Sequence, residues 1–446
     1  MVHVPMIGAM SSMQRRSRTV LAVVLLTVAA SPLLAETETR LKPITVQSQI
    51  RLSKEEGETA RPIWSYDSRD IELASQFKRS GSEVVQLQFC KVKQGRVNPN
   101  NGWSYLLPPG YTPGRKDISS RVWKMLKFQI AEMCWLQGGQ FLYSSYTHTR
   151  FTDCAGDTCG GHDIYKDEIK EPSFYSPDNE TQPVSSRNAS LAAYLRTGAS
   201  GLDPIIVLTD IKSGASATVE WEHGTDREIV DLALHPDGRY LAWSGRTYQD
   251  QFQTSRNNGS SYLIQVARNF DIFVLPLDYD AETGRVRVFV PEQIPRSSQV
   301  QQLQASSETH IVWDPAGRSR LACYRKYVAT DTELEKMDLV ILDLDESGRV
   351  RQWWTVAKGI RVEGTELGPA WDPEGERIYY FKNDDLEAVD LAWAEGSTAV
   401  GDRYRVEFKD TDATYMDVAV SPDNHLLALT GIPTDFARSL YLLKIR

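Results

Sequence analysis

The chain has 446 residues, so one large domain or two is expected. Hydrophobic residues make up 41% and charged residues 24% of it, values that exclude disordered, collagen-like and disulfide-scaffold proteins. The net charge of −9 excludes a general nucleic-acid-binding protein, because such a protein needs a basic face to neutralise phosphates. The 19 Tyr, 13 Phe and 11 Trp favour β-structure, where aromatic side chains fit half-buried pleated surfaces.

The amino terminus has the layout of a secretory signal. Arg15, Arg16 and Arg18 precede an uncharged apolar run, 19–30, which is followed by the mostly small residues 31–35. We predict that residues 1–35 are a signal peptide cleaved after Ala35, with cleavage after Ala30 as the alternative. An uncleaved membrane anchor is the other interpretation, since the run is nearly long enough to span a bilayer. Pro32 interrupts the run and favours cleavage, so we expect a periplasmic or secreted protein without a stable membrane span.

One turn phrase recurs along the rest of the chain, each time between two apolar strands. The clear copies are His235-Pro-Asp-Gly238, Asp314-Pro-Ala-Gly317, Asp372-Pro-Glu-Gly375 and Ser421-Pro-Asp-Asn424. Proline presets the first central dihedral of a turn, and Gly or Asn accepts the left-handed conformation at its end, so the phrase predicts a β-hairpin. Two degenerate copies are centred near residues 66 and 137.

The spacing of these six phrases predicts an all-β fold. Further strands follow each hairpin without a helix signal between units, as in the four-stranded blades of a β-propeller. We therefore predict a six-bladed β-propeller over residues 60–446. The last unit ends after its third strand, 440–445, so we expect a strand at 44–50, within the segment 36–59, to supply the fourth and close the ring.

The four clear copies resemble the WD-like repeat of the TolB-type β-propeller family, whose signature is a Trp-Ser-Pro-Asp-Gly turn. The resemblance covers residues 60–446 and implies a propeller that joins envelope proteins through protein contacts. Members of the family also have a separate amino-terminal α/β domain. Only residues 36–59 lie between the predicted cleavage site and the first unit, so we expect that domain to be absent.

Three long connections follow the second strand of successive predicted blades and therefore lie on one face. They are 146–201, predicted as a large loop insertion, 246–265 and 326–336. Aromatic side chains anchor protein interfaces, so we predict a binding face rather than disordered decoration. The candidate binding residues are Tyr146, His148, His162, Tyr165, Tyr248 and Phe252.

Five cysteines are present, and two of them, Cys154 and Cys159, are close in sequence. Together with His148, His162 and Asp163 they offer thiolate and imidazole ligands for zinc. The Cys-x4-Cys spacing is outside the tightest spacing of zinc sites, and export favours oxidation, so we predict a disulfide and no metal. Cys90, Cys134 and Cys323 lie in apolar runs and are expected to be buried thiols.

The sequence lacks a Gly-x-Ser-x-Gly nucleophile elbow, a Gly-rich phosphate loop and a haem-attachment motif. The leading hypothesis is a non-catalytic scaffold that binds an envelope or secreted protein through its face loops and needs no cofactor. The alternative is an enzyme, or a glycan- or small-ligand-binding protein, with its site in the central channel. The channel candidates are His235, His310, Asp314 and Asp372.

Overall fold

The computed structural model is built of β-strands with one short 3-10 segment, Gln137–Gly139, among the residues that it describes. These are 41–52, 57–67, 71–80, 84–92, 103–106, 130–148, 160–167, 173, 178–197, 204–219, 227–254, 261–267, 270–280, 285–288, 292–293, 306–327, 336–360, 367–394, 397–409, 413–433 and 437–445. The predicted signal peptide, 1–35, lies outside them.

The first three sheets are antiparallel and follow one another along the chain. Sheet 1 contains β2 (Gly57–Trp64), β3 (Glu72–Arg79), β4 (Val85–Lys91) and β5 (Trp103–Leu106). Sheet 2 contains β6 (Ile130–Trp135), β7 (Phe141–His148) and β8 (Gly160–Lys166). Sheet 3 contains β9 (Asn179–Ser185), β10 (Leu191–Thr197), β11 (Ile205–Asp210) and β12 (Ser216–Val219).

Four more sheets complete the described part of the chain. Sheet 4 contains β13 (Arg227–Leu234), β14 (Tyr240–Thr254), β16 (Asp271–Asp280) and β17 (Arg285–Val288), with β15 (Ser261–Ala267) paired to β14 and β18 (Glu292–Gln293) paired to β16. Sheet 5 contains β19 (Ser306–Trp313), β20 (Arg320–Tyr327), β21 (Lys336–Leu344) and β22 (Val350–Ile360). Sheet 6 contains β23 (Ala370–Trp371), β24 (Arg377–Lys382), β25 (Asp385–Ala394) and β26 (Ser397–Glu407). Sheet 7 contains β27 (Ala413–Val420), β28 (Leu426–Pro433) and β29 (Ser439–Ile445).

The amino-terminal strand β1 (Lys42–Arg51) joins the last two sheets. Its first half, Lys42 to Thr45, pairs parallel to β26 of sheet 6. Its second half, Val46 to Arg51, pairs antiparallel to β29 and is the fourth strand of sheet 7. The prediction that a strand at 44–50 completes the last unit is therefore confirmed.

A repeated tryptophan contact shows that the sheets form a closed ring. The indole Nε1 of Trp135 donates to Ile63 O of sheet 1 (3.2 Å), and that of Trp313 donates to Ala233 O of sheet 4 (3.1 Å). The same contact closes the ring, since Trp64 Nε1 of sheet 1 donates to Ala419 O of sheet 7 (3.0 Å). Each sheet contacts the next in chain order and sheet 7 contacts sheet 1, which is the arrangement of a β-propeller.

The core lies between adjacent sheets and is supplied mainly by their middle strands. In β10 the first five residues are all buried, and in β28 the first six are. A strand covered on both faces reads as a continuous apolar run, because neither face meets water.

The prediction of six blades is not confirmed, because the described residues form seven antiparallel groups of strands, the last two of which β1 joins into one eight-stranded sheet. The additional one is sheet 3, and the range 146–201, predicted as a loop insertion, contains the end of β7, all of β8 and the first two strands of sheet 3. Its first strand, β9, is polar and contains Pro183, and its turn, Ser186-Arg-Asn-Ala189, has neither Pro nor Gly. The turn signal on which the count depended is therefore missing from this sheet.

Candidate functional site

At four seams a Trp at the end of one first strand contacts a carbonyl near the end of the preceding first strand, so these first strands run in the same direction. The ends of the second strands therefore define one face of the ring. We call it the B–C face, since the second strand ends and the third begins there. The opposite face holds the Pro-containing turns, which we call the A–B turns. The range 326–336 begins at the end of β20, and the range 246–265 begins where the pairing of β14 with β16 ends, so both belong to the B–C face.

Three successive sheets carry a Glu–Arg pair at the B–C face. Each Glu stands near the start of a first strand and each Arg lies directly opposite on the second strand. The pairs are Glu180–Arg196, Glu228–Arg246 and Glu308–Arg325, with Nε to carboxylate distances of 3.2, 2.7 and 2.8 Å. Glu180 is 0% exposed and Glu308 is 6% exposed, so each of these carboxylates depends on its arginine for compensation of its charge.

Aromatic rings cover two of these arginines. The Arg325 guanidinium lies 4.0 Å from the centroid of the Trp353 ring, and that of Arg246 lies 4.5 Å from the Phe270 ring. A guanidinium over a ring face is attracted by the ring quadrupole and loses freedom of movement. The B–C face of sheets 3 to 5 therefore has a stiff, charge-paired base.

A β-hairpin extends from this base. Strand β14 continues past its pairing with β16, which ends at Gly245, and pairs with β15 from Tyr248–Ala267 to Thr254–Ser261. Seven successive residue pairs span about 20 Å at the usual rise per residue. The connection predicted as a loop at 246–265 is thus a regular hairpin, and it places Tyr248 opposite Ala267 and Phe252 opposite Leu263.

The candidate residues of sheet 2 lie on paired strands. Tyr146 is opposite His162 and His148 is opposite Gly160 in the β7–β8 register. His162 is half-buried; its backbone N–H donates to Asn179 Oδ1 (3.0 Å) and burial lowers the pKa of its imidazole. Cys154 and Cys159, the predicted disulfide, lie outside the described residues.

Tyr165 is a core residue, which corrects its prediction as a binding residue. It is 0% exposed, and its ring stacks on Tyr143 with a centroid distance of 5.4 Å. Side chains alternate between the two faces of β8, and that of Tyr165 is on the face toward sheet 1. There it belongs to the same apolar cluster as Phe89 of sheet 1 and Trp135 of sheet 2. An aromatic residue in a strand does not reveal from sequence alone which face it takes.

Three of the four channel candidates are buried in A–B turns. His235 and Asp314 are 0% exposed and Asp372 is 5% exposed. Their side chains serve the turns: His235 Nδ1 accepts from Asp237 N–H (3.1 Å), and Asp372 Oδ1 accepts from Glu376 N–H (2.7 Å). Asp314 Oδ1 accepts from Ala316 N–H (2.9 Å). These three residues therefore stabilise hairpins at the face opposite the Glu–Arg pairs.

The fourth candidate, His310, belongs to a series of bulges in the first strands that the sequence did not predict. The first strands of sheets 1 to 5 and 7 shift register in or beside a bulge, and Arg61, Gln182 and His310 have positive φ values of 51°, 51° and 57°. A bulge releases a backbone N–H from the sheet.

Carboxylates of neighbouring sheets accept these released N–H groups. Gln182 N–H donates to Glu132 Oε2 (2.6 Å), and His310 N–H donates to Asp231 Oδ2 (2.7 Å). Leu367 N–H donates likewise to Asp417 Oδ1 (3.0 Å). In the sequence these carboxylates could have been recognised as acidic residues four positions before a turn, as Asp231 is before His235 and Asp417 is before Ser421.

The pH dependence of stability tests the buried turn positions. Burial and nearby Arg239 lower the pKa of His235 to about 4, whereas burial raises the pKa of Asp314 to about 6. As the pH falls from 7 to 5, His235 becomes protonated in the unfolded state but stays neutral in the folded state. The protein therefore loses about 2 kcal/mol of stability. Folded Asp314 takes up a proton that the unfolded state does not, so about 1 kcal/mol is gained.

Serine replacements separate the two effects, because Ser186 and Ser421 occupy the equivalent turn position in sheets 3 and 7. Relative to the wild type, His235→Ser is expected to become more stable on going from pH 7 to 5, and Asp314→Ser less stable. Urea unfolding at several pH values measures both differences. Parallel pH profiles for the wild type and both variants would contradict the assignment.

Among the described residues, no group of three or more His, Cys, Asp or Glu side chains is placed to hold a metal ion. In the same part of the chain no helix is long and apolar enough to cross a membrane.

Comparisons with known proteins bear on the fold alone. No family model matches the chain, and no curated protein matches it. Similar solved structures include an oligogalacturonate lyase from Vibrio parahaemolyticus, with 8% identity over 92% of this chain and 94% of that chain and a TM-score of 0.49. A coronin WD40 domain from Toxoplasma gondii has 8% identity over 91% and 89% with a TM-score of 0.46. A protein described as TolB from Agrobacterium tumefaciens has 15% identity over 59% and 74% with a TM-score of 0.32. The β-propeller assignment rests on the closed ring of sheets described above.

Proposed function

We propose that this protein is an exported TolB-like β-propeller that binds an envelope or secreted protein through its B–C face. The observation that carries the proposal is the β14–β15 hairpin, which extends seven residue pairs beyond the sheet from which it emerges. A hairpin that extends this far from a propeller face offers a surface to which a partner can bind. Loops and extensions on a rigid scaffold are the usual carriers of binding.

The base of the hairpin supports the same interpretation. Arg246, two residues before the extension begins at Tyr248, is held by Glu228 and covered by Phe270. Trp243, three residues earlier, is 0% exposed and stacks on Phe273 with a centroid distance of 5.4 Å. A hairpin anchored in this way needs little ordering when a partner docks, which lowers the entropic cost of binding. Tyr248 and Phe252 supply the aromatic residues that interfaces favour.

Shortening the hairpin tests the proposal. Tyr248 and Ala267 are directly paired, so replacing 249–266 with Asn-Gly joins them through a two-residue turn. Because the buried residues of sheet 4, including Trp243 and Phe273, are unchanged, the shortened protein is expected to keep its urea unfolding midpoint. Cross-linking of the wild type in cell-envelope extracts, followed by mass spectrometry, is expected to identify a stoichiometric partner that the shortened protein loses.

The matched control is Glu346→Ala, which changes an exposed residue in the turn between the third and fourth strands of sheet 5, on the opposite face. This variant is expected to retain the partner. Equal capture of the partner by the shortened protein and the wild type would contradict the proposed role of the hairpin.

A further inference from the structure

A cavity of about 360 Å³ opens at the seam where sheet 1 meets sheet 7. Its lining comes from the starts of β2 and β4, the end of β3 and residues Ile432 and Arg438 of sheet 7. In sheet 1 and in sheet 7 these are the strand ends that define the B–C face. The cavity therefore lies on the same face as the hairpin, at a different sheet.

The cavity occupies the position that Glu–Arg pairs fill in sheets 3 to 5. Glu58 lies directly opposite Lys78 in the β2–β3 register, as Glu180 lies opposite Arg196 in sheet 3. Whereas Glu180 is fully buried, both Glu58 and Lys78 are exposed and line the cavity. Sheet 1 thus keeps the charged positions of the pattern but leaves them open to an incoming group.

The charges of the lining favour an anion. Lys78 and Arg438 contribute two cations against the one carboxylate of Glu58. A guanidinium and an ammonium are the side chains that form strong charge-assisted hydrogen bonds to a carboxylate. Thr59 also lines the cavity; it is fully buried, and its hydroxyl accepts from Gln88 Nε2 (3.4 Å).

The remaining lining favours an apolar group beside that anion. Phe77 and Ile432 contribute an aromatic ring and a branched aliphatic side chain. The volume is at the lower end of the range for small-ligand sites, which suits a single residue rather than a passing chain. A carboxylate and an apolar side chain belong to the same residue only at a carboxyl terminus.

We propose that this cavity binds the carboxyl-terminal residue of a partner protein, with its carboxylate toward Lys78 and Arg438 and an apolar side chain against Phe77 and Ile432. The inference rests on the proposed protein-binding role of the B–C face and specifies a second contact on it. It identifies the partner by its chemistry, as a chain that ends in a large apolar residue.

Fluorescence anisotropy with labelled pentapeptides Gly-Gly-Ser-Gly-Leu tests the proposal. The peptide with a free carboxylate is expected to bind at least tenfold more tightly than the same peptide with a terminal amide. A peptide ending in Gly and one with an internal Asp-Leu pair and an amidated end are expected to bind as weakly as the amide. Equal binding of acid and amide, or tighter binding of the internal Asp peptide, would overturn the proposal.

Variants of the lining locate the binding. Arg438→Gln and Lys78→Gln are each expected to remove most of the difference between acid and amide, and circular dichroism checks that both remain folded. Arg405→Gln is the matched control, because Arg405 is an exposed arginine on sheet 6. An unchanged acid preference in both cavity variants would place the binding elsewhere and overturn the assignment. The hairpin-shortened protein is expected to bind the peptide normally, so the cavity and the hairpin can fail independently.

Discussion

A chain that begins at Leu52 is expected to unfold at a much lower urea concentration than the full chain, because it lacks β1. Ile44 and Val46 are nearly fully buried in the core that sheets 6 and 7 share. Burial of two such side chains contributes about 2 to 3 kcal/mol each, and the pairing with β26 and β29 is lost as well. The expected loss is at least about 5 kcal/mol, which is most of the stability of an ordinary domain.

The loss should come from β1 itself rather than from shortening of the chain. A chain that begins at Arg40 retains β1 and is expected to keep the wild-type urea midpoint. Val46→Ala and Thr45→Ala form a matched pair within the strand, since Val46 is buried and Thr45 is exposed. Only Val46→Ala should lower the midpoint. A chain that begins at Leu52 and unfolds at the wild-type midpoint would show that ring closure does not stabilise the propeller.

Gly375→Ala is expected to lower the free energy of unfolding by about 2 to 5 kcal/mol. Gly375 has a φ of +65°, and a Cβ at this position would lie 2.1 Å from Asp314 Oδ1 of the preceding sheet. That carboxylate cannot move away easily, because it is buried and already accepts from Ala316 N–H. The left-handed backbone costs about 1 to 2 kcal/mol and the overpacking about 1 to 3 kcal/mol more.

Gly138→Ala is the control that separates these two costs. Gly138 has a similar φ of +74° in the turn of sheet 2, and no described atom lies within 4 Å of the position of its Cβ. It is therefore expected to lose only the backbone part, about 1 to 2 kcal/mol. Urea unfolding of both variants measures the difference. Equal losses would mean that the A–B turns of adjacent sheets do not interlock through Asp314 and Gly375.

The A–B turns are the part of the fold that local sequence predicts. Pro315 and Gly317 in sheet 5, like Pro373 and Gly375 in sheet 6, encode a tight turn through their own dihedral preferences. Such a signal does not depend on neighbouring sheets, and the all-β class was predicted from it. Sheet 3 was not included in the predicted number of blades, because its turn at Ser186 lacks Pro and Gly. This turn is held by side-chain hydrogen bonds instead, with Ser186 Oγ donating to Ala189 O (2.7 Å). Hydrogen bonds of this kind do not require a characteristic pair of residues that could be recognised in the sequence.

Much of the candidate site could not be predicted from local sequence. The aromatic residues of the hairpin were predicted as binding residues from their residue type alone. The sequence did not show that 248–267 pairs as one regular extension. Tyr165 and Tyr146 read alike in the chain, although Tyr165 packs in the core, because the face of a strand residue depends on register. His235 and Asp314 looked like channel residues because ionisable groups in strand-rich repeats suggest a site. In the structure they complete turns whose backbone N–H groups need buried acceptors.

By itself the sequence determined that this chain is a ring of hairpin-built sheets closed by its own amino-terminal strand, since those features follow from period, turn chemistry and length. The tertiary structure alone decided the number of sheets, the Glu–Arg base of the B–C face and the open cavity at the seam of sheets 1 and 7. The cavity joins residues that lie far apart in the chain, such as Lys78 and Arg438. Contacts between such residues depend on how adjacent sheets are placed, which no local preference of the backbone specifies.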